Sequence, residues 1–251
     1  MKKNIRLVTP ITTKGLWRSE DLQALEAPGY EISVSEIDSG PASIECEFDE
    51  MLAVPDTVAK IIAAEREKVD AVVIDCMGDP GLKAAREAVK IPVLGPCETS
   101  MHLAAMLGQK FSIVTALHRL RPIYENSGKL YGVYEKLASV RSVEIPVLDL
   151  EGNMEATTRA LTEQAILAVE QDKADVIIFG CTGMLGCAEG VREGLLDKGY
   201  DAPVIDPFPV TIRIAAAIAE AGLSHSKLTY PAPPEKRTVG FSQPEFSGRK
   251  G

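Results

Sequence analysis

Two cysteines, Cys76 and Cys181, each close a run of apolar, β-branched residues, and the two runs read as copies of one unit. The first is Val69-Asp70-Ala71-Val72-Val73-Ile74-Asp75-Cys76, continued by Met77-Gly78-Asp79-Pro80-Gly81. The second is Ala174-Asp175-Val176-Ile177-Ile178-Phe179-Gly180-Cys181, continued by Thr182-Gly183-Met184. A thiolate can remove a proton and a thiol can deliver one. Two thiols at matching places in a repeat therefore suit one kind of chemistry, the transfer of a proton from one face of a carbon to the other. Gly78 and Gly183 let the chain turn tightly and leave backbone N–H groups for a bound anion. A helix starting at that turn would lower the thiol from its ordinary value of about 8.5. A lone cysteine at a strand end is usually a small core hydrophobe; its recurrence in both copies favours chemistry here.

The remaining candidates carry less. Thr9 and Thr115 both end strands, and their hydroxyls could meet a ligand in a cleft or satisfy a local turn equally well. Thr12 and Thr13 lie in the loop Thr9-Pro10-Ile11-Thr12-Thr13-Lys14-Gly15, a candidate substrate loop. Cys97 follows a strand end and could border the pocket, but reads as packing, with Phe208 as its counterpart in the second copy. Cys46 sits in an acidic loop and Cys187 in a helix after Cys181. His102 reads as a core or interface histidine and His118 as a residue of the cleft rim. The cysteines have no zinc-type spacing and the three histidines do not cluster with them, so no metal site is expected. GxGxxG, GxxxxGK[ST] and GxSxG motifs are missing from suitable contexts, so no cofactor is expected either.

The elements that must position the thiols alternate. Strands are expected at 4–9, 30–37, 69–75, 111–115 and 140–148, and helices at 51–68, 81–89 and 154–171. Asp79-Pro80 opens the 81–89 helix as a cap followed by proline. In each copy the order is helix, strand ending in Cys, helix, short Pro-Val strand (91–96 or 202–207), then an alanine-rich helix (101–107 or 211–221). Strands this continuously apolar lie inside parallel sheets. The fold class is thus α/β: two similar doubly wound lobes with parallel sheets and a ligand cleft between them. The first lobe is expected to span 1–96 plus 207–230, the second 97–206, and an extended tail 231–251, with helix 209–221 returning to the first lobe.

The bulk numbers exclude several partners. With 251 residues, 45% hydrophobic and 25% charged, the chain can bury a sizeable core. Its net charge of −9 opposes nucleic acid. No apolar stretch approaches the roughly 20 residues of a membrane span, and Met1-Lys2-Lys3 leads into a strand. An odd count of five cysteines suggests reduced thiols, hence the cytoplasm. A small-molecule substrate and a homo-oligomer are the expected partners.

At Asp75-Cys76-Met77-Gly78-Asp79-Pro80-Gly81-Leu82, Pro92-Val93-Leu94-Gly95, Glu98, Ser100-Met101-His102, Phe111-Ser112-Ile113-Val114-Thr115 and Gly180-Cys181-Thr182-Gly183-Met184, the chain resembles the aspartate/glutamate/hydantoin racemase superfamily. The resemblance extends over about residues 4–235 and is strongest to the hydantoin racemase branch. It implies a cofactor-independent racemase or epimerase with Cys76 and Cys181 as the catalytic pair. A 5-substituted hydantoin or amino-acid-like substrate would sit between lobes, contacted by Thr9, Thr12, Met77, Gly78, Thr115, Thr182 and Gly183. Family members often carry an Asn-Pro-Asn-Thr-like loop where this chain has Thr9-Pro10-Ile11-Thr12. Two relatives on the same scaffold offer other chemistry. Maleate cis-trans isomerases use a cysteine nucleophile, and arylmalonate decarboxylases keep one of the two cysteines. A two-lobed binding protein without catalysis is the alternative from another class.

Overall fold

The computed structural model describes residues 2–17, 19–237 and 239. Eight strands and eight α-helices alternate through them. The first half comprises β1 (Lys3–Thr9), α1 (Ser19–Leu25), β2 (Tyr30–Glu36), α2 (Glu47–Arg66), β3 (Ala71–Ile74), α3 (Leu82–Ala88), β4 (Val93–Leu94) and α4 (Pro96–Leu107). The second comprises β5 (Phe111–Thr115), α5 (Arg121–Leu130), β6 (Leu137–Ser142), α6 (Met154–Glu170), β7 (Val176–Phe179), α7 (Ala188–Asp197), β8 (Val204–Ile205) and α8 (Pro207–Glu220). The strands form two four-stranded parallel sheets, ordered β2-β1-β3-β4 and β6-β5-β7-β8. Those two orders are the same order, so the repeat in the sequence is a repeat in topology.

β3 and β7 occupy matching inner positions, and every one of their residues is buried. That burial on both faces explains why their sequences show no polar alternation. The helices after the short edge strands then exchange sheets. α4 follows β4 but packs on β5 and β7, with Cys97, Met101 and Ala104 in the same core as Phe111, Ile113 and Ile177. α8 follows β8 but packs on β1, β3 and β4, where Phe208, Ile212 and Ala215 meet Ile5, Leu7 and Val73. The two crossing helices also pack on each other. These contacts support the proposed division into 1–96 plus 207–230 and 97–206.

Both exchanged helices begin with proline, where a missing N–H costs nothing. Asp206 caps α8 through its own side chain. α4 has no such local cap, and Asp79 supplies it from elsewhere, accepting from the Cys97 and Glu98 N–H groups at 3.0 and 2.9 Å. Gly95 leaves room for that reach, because a Cβ there would lie 2.3 Å from the Asp79 carboxyl carbon.

Several elements differ from the sequence-based expectation. The strand expected at 140–148 runs from Leu137 to Ser142. Its regular pairing stops before Glu144, which adopts φ 57°, and Pro146, which has no N–H to donate. Val147–Asn153 is a 3₁₀ stretch instead. Cys187 is not inside a helix; it is buried just before α7. Helices α1 and α5 were not expected, and α5 holds Gly128 buried against Tyr134, an arrangement its sequence does not advertise. Of the tail expected at 231–251, residues 231–237 and 239 carry no helix or strand, and positions 238 and 240–251 lie outside the described residues. Among the described residues, no helix is long and apolar enough to cross a membrane.

Candidate active site

Parallel sheets place ligands at the carboxyl ends of their strands. Here the carboxyl ends of β1, β3 and β7 converge on one cavity of about 570 Å³. Cys76 and Met77-Gly78 line it from the first half, and Cys181 and Thr182-Gly183 from the second. Thr9 joins them from the end of β1. The apolar part of the wall includes Ile11, Leu16, Trp17, Ile44, Leu120 and Ile123.

The two cysteines have matched surroundings. The Gly78 N–H donates to the Cys76 sulfur at 3.4 Å, and the Gly183 N–H acts on Cys181 in the same sense. The corresponding expectation, a helix N-terminus that lowers both thiols, is corrected. α3 starts six residues after Cys76, and Cys181 leads into a three-residue 3₁₀ turn. Burial instead pushes the Cys76 thiol well above its ordinary value, with Glu50, Cys181 and Asp75 adding to the rise. Burial likewise pushes Cys181 up to about 12, with Asp75, Glu151 and Glu45 contributing. One N–H per sulfur favours the thiolate but does not outweigh desolvation.

Two other expected contacts fall outside the cavity wall. Thr12 turns its hydroxyl to the Pro41 carbonyl at 3.1 Å, so it serves its own loop. Thr115 is fully buried behind Gly180, bonded to the Tyr124 hydroxyl at 3.2 Å. A Cβ on Gly180 would come within 2.6 Å of the Thr115 Cβ, so these neighbouring strand ends are in contact, with no space for a ligand between them. Cys97 is buried in the core and does not line the cavity. His102 and His118 are exposed on the single chain, so His102 is not the core residue that was one of its two expected roles, and His118 does not line the cavity.

Sequence reasoning missed four groups that the fold brings to the wall: Asp75, Trp17, Glu50 and Tyr124. Asp75 accepts from the Thr9 hydroxyl at 2.9 Å and from the Trp17 indole at 3.0 Å, both on Oδ2. Burial raises its carboxyl to about 7, against the lowering effect of Thr182, Thr9 and Trp17. Glu50 is likewise raised to about 7 by burial, then by Asp79 and Glu47. Tyr124 is buried and donates to the Gly180 carbonyl. The charged lining consists of Asp21, Glu50, Asp75 and Glu151; among the described residues no Lys, Arg or His lines the cavity.

This fold and site define a protein class. A family model described as Asp/Glu/Hydantoin racemase matches residues 5–215, and the chain belongs to that family. It is 37% identical over 239 residues to the hydantoin racemase of Pseudomonas sp. (strain NS671), a match covering 94% of each chain. It is similar also to the solved allantoin racemase from Klebsiella pneumoniae, with TM-score 0.85, 33% identity and coverage of 95% of this chain and 97% of that one. A glutamate racemase from Bacillus anthracis, 17% identical with TM-score 0.55, covers 88% of this chain and 83% of its own and shares the fold. Within the family, the chain is an isomerase of the hydantoin and allantoin racemase group.

Proposed function

We propose that the protein racemises a 5-substituted hydantoin, with Cys76 and Cys181 exchanging roles as base and acid. The observation that carries this reading is the meeting of both sulfurs in one cavity wall, each from a matching strand end and each beside a glycine N–H. For one enantiomer, one cysteine as thiolate takes the proton from the carbon next to the carbonyl. The C–H electron pair moves into an enolate, and the opposite thiol protonates the other face. The enzyme ends with the two protonation states interchanged, ready for the opposite enantiomer.

The charge of the wall selects among substrates. A substrate carboxylate set 4 Å from one ionised wall carboxylate would feel about 4 kcal/mol of repulsion at an effective dielectric of about 20. That is roughly a thousandfold in affinity. The acidic wall therefore opposes a dicarboxylate of the maleate type and a free amino acid, and suits an uncharged ring bearing N–H groups. Five free cysteines suit a reducing compartment such as the cytoplasm.

The test uses single-enantiomer 5-benzylhydantoin in deuterated water, followed by optical rotation and by NMR at the reacting carbon. Wild type should lose rotation and incorporate deuterium. Cys76→Ala and Cys181→Ala should each abolish racemisation; unchanged rates in both would sink the two-thiol reading. A ligand-induced rise in melting temperature without deuterium incorporation in wild type would instead indicate a binding protein.

A further inference from the structure

The two halves match at the sulfurs and differ one residue earlier. Asp75 N donates to the Val8 carbonyl at 2.9 Å, and Gly180 N donates to the Val114 carbonyl at 2.8 Å, so Asp75 and Gly180 are the same position of the repeat. The second half has no side chain there. The first half has a carboxyl that is 92% buried, at 8% exposure, in the wall of a cavity shared by both thiols.

Its two oxygens are unlike. Oδ2 takes the Thr9 hydroxyl and the Trp17 indole N–H. Oδ1 is buried with no hydrogen-bond partner, although the Thr182 hydroxyl faces this carboxyl from the other half. An unmet buried carboxylate oxygen is costly. The cost is much smaller if the carboxyl is neutral. Oδ2 already accepts two hydrogen bonds, from the Thr9 hydroxyl and the Trp17 indole N–H, which favours the acid proton on Oδ1.

That places an O–H donor at the cavity wall within electrostatic reach of both sulfurs. The Gly78 and Gly183 N–H groups act on the sulfurs, and the Tyr124 hydroxyl is given to the Gly180 carbonyl. No cation lines the cavity among the described residues. Negative charge developing on the substrate carbonyl oxygen therefore needs another partner, and a buried neutral carboxylic acid is a known solution to that problem.

We infer that Asp75 is a catalytic residue that works as a neutral acid, donating through Oδ1 to the carbonyl oxygen that becomes the enolate. The inference rests on the racemase reading above. Its proton is shared and not transferred: the C–H proton goes to one sulfur, the other sulfur's proton goes to the carbon, and Asp75 keeps its own throughout. Thr9 and Trp17 are positioning residues, since they hold Oδ2 and thereby fix where Oδ1 lies.

The titratable groups facing Asp75 are Cys76 beside it, Cys181 across the cleft and Glu151 from the 3₁₀ stretch, with Glu50 of α2 acting on Cys76. Ionised neighbours among these hold the Asp75 proton on, and none of them stabilises its anion. The donor is present below the Asp75 value of about 7 and is lost above it.

The deciding variants are Asp75→Asn and Asp75→Ala, with folding checked by thermal melting. Asn is neutral at every pH, accepts at Oδ2 through its carbonyl, and offers Nδ2–H where Oδ1–H stood. With 5-benzylhydantoin at pH 7, Asp75→Asn should keep kcat within about tenfold, and Asp75→Ala should lose roughly a hundredfold or more, mainly in kcat. The ratio of Asp75→Asn to wild type should then rise about tenfold per pH unit above 7, because only wild type loses its donor. A ratio flat from pH 6 to 9, or an Asn variant as impaired as the Ala variant, overturns the inference. Wild type that neither racemises nor exchanges deuterium overturns the racemase reading instead.

Discussion

Gly180 is the position where the structure makes its sharpest demand, and Gly180→Ala turns that demand into a measurable cost. A Cβ there would lie 2.6 Å from the Thr115 Cβ and 2.8 Å from its Cα. Carbon atoms pack at roughly 3.5–4.0 Å, so the strands would have to part by about 1 Å. Both residues sit at the carboxyl ends of neighbouring inner strands, tied by the 2.8 Å bond from Gly180 N to the Val114 carbonyl. Separation would also stretch the bond from Tyr124 to the Gly180 carbonyl. Overpacking costs about 1–3 kcal/mol, and loss of a buried hydrogen bond adds about 1 kcal/mol. At roughly 2–4 °C per kcal/mol, the melting temperature should fall on the order of 5–15 °C. Calorimetry reads this directly. Gly183→Ala is the control, because its new Cβ would meet the Cys181 sulfur and Leu150 at 3.6 Å, an ordinary contact. Thr115→Gly should relieve the crowding, making the double variant less destabilised than the sum of the singles. If Gly180→Ala melts within about 1 °C of wild type, the strand ends are not in the contact described here.

Three further outcomes are expected. Gly95→Ala would drive a Cβ into the Asp79 carboxyl and unseat the cap of α4, lowering stability by about 1–2 kcal/mol in denaturant titration; an unchanged midpoint would refute it. Asp75, Asp79 and Glu50 all have folded values raised to about 7, each chiefly by burial, so between about pH 4 and 7 the native state holds protons that the unfolded chain has released. Their contribution thus falls as pH rises through that window, and the drop in stability from pH 5 to 8 should be shallower in Asp75→Asn than in wild type. Tyr124→Phe should cost about 1–3 kcal/mol, because the buried Gly180 carbonyl loses the Tyr124 donor; a melting curve superimposable on wild type would count against that bond.

The architecture was legible because buried parallel strands leave an unambiguous trace. Ala71–Ile74 and Val176–Phe179 are apolar on both faces, and each is followed by a cysteine and a turn glycine. Their repetition points to paired lobes without any knowledge of contacts. The wall beyond the thiols was less legible for physical reasons. Trp17 reaches Asp75 from an irregular loop, and Tyr124 comes from a helix whose apolar period is broken by Asn126 and Gly128. Asp75 itself looks like an ordinary end-of-strand residue, since only the fold shows that Thr9 and Trp17 converge on one of its oxygens. The thiol acidity was misjudged because the sequence placed the helix after Cys76 within a residue of α3 but does not show how completely the fold buries the two sulfurs, and burial is the larger effect. Thr9 and Thr115 look alike as strand ends, yet Thr9 lines the cavity and Thr115 does not.

A site with matched thiols and one unmatched carboxyl has a consequence that thermodynamics limits. Two enantiomers have equal free energy in solution, so their interconversion has an equilibrium constant of one. The ratio kcat/KM must then be the same for both directions, however lopsided the cavity. Asp75 opposite Gly180 can therefore show itself only in kcat and KM taken separately, each differing between enantiomers by one common factor. With Asp75 on one side, the two ground-state complexes hold their carbonyl oxygens differently toward the Oδ1 donor, while the enolate they share is the same species. The wild-type enzyme should show unequal kcat values for the two enantiomers with KM shifted in proportion, and Asp75→Ala should bring the two kcat values together. Full progress curves run from each pure enantiomer give all four constants. Equal kcat values in wild type, or an asymmetry untouched by Asp75→Ala, would mean that both faces of the substrate feel this carboxyl alike, and the source of handedness would have to be sought elsewhere in the wall.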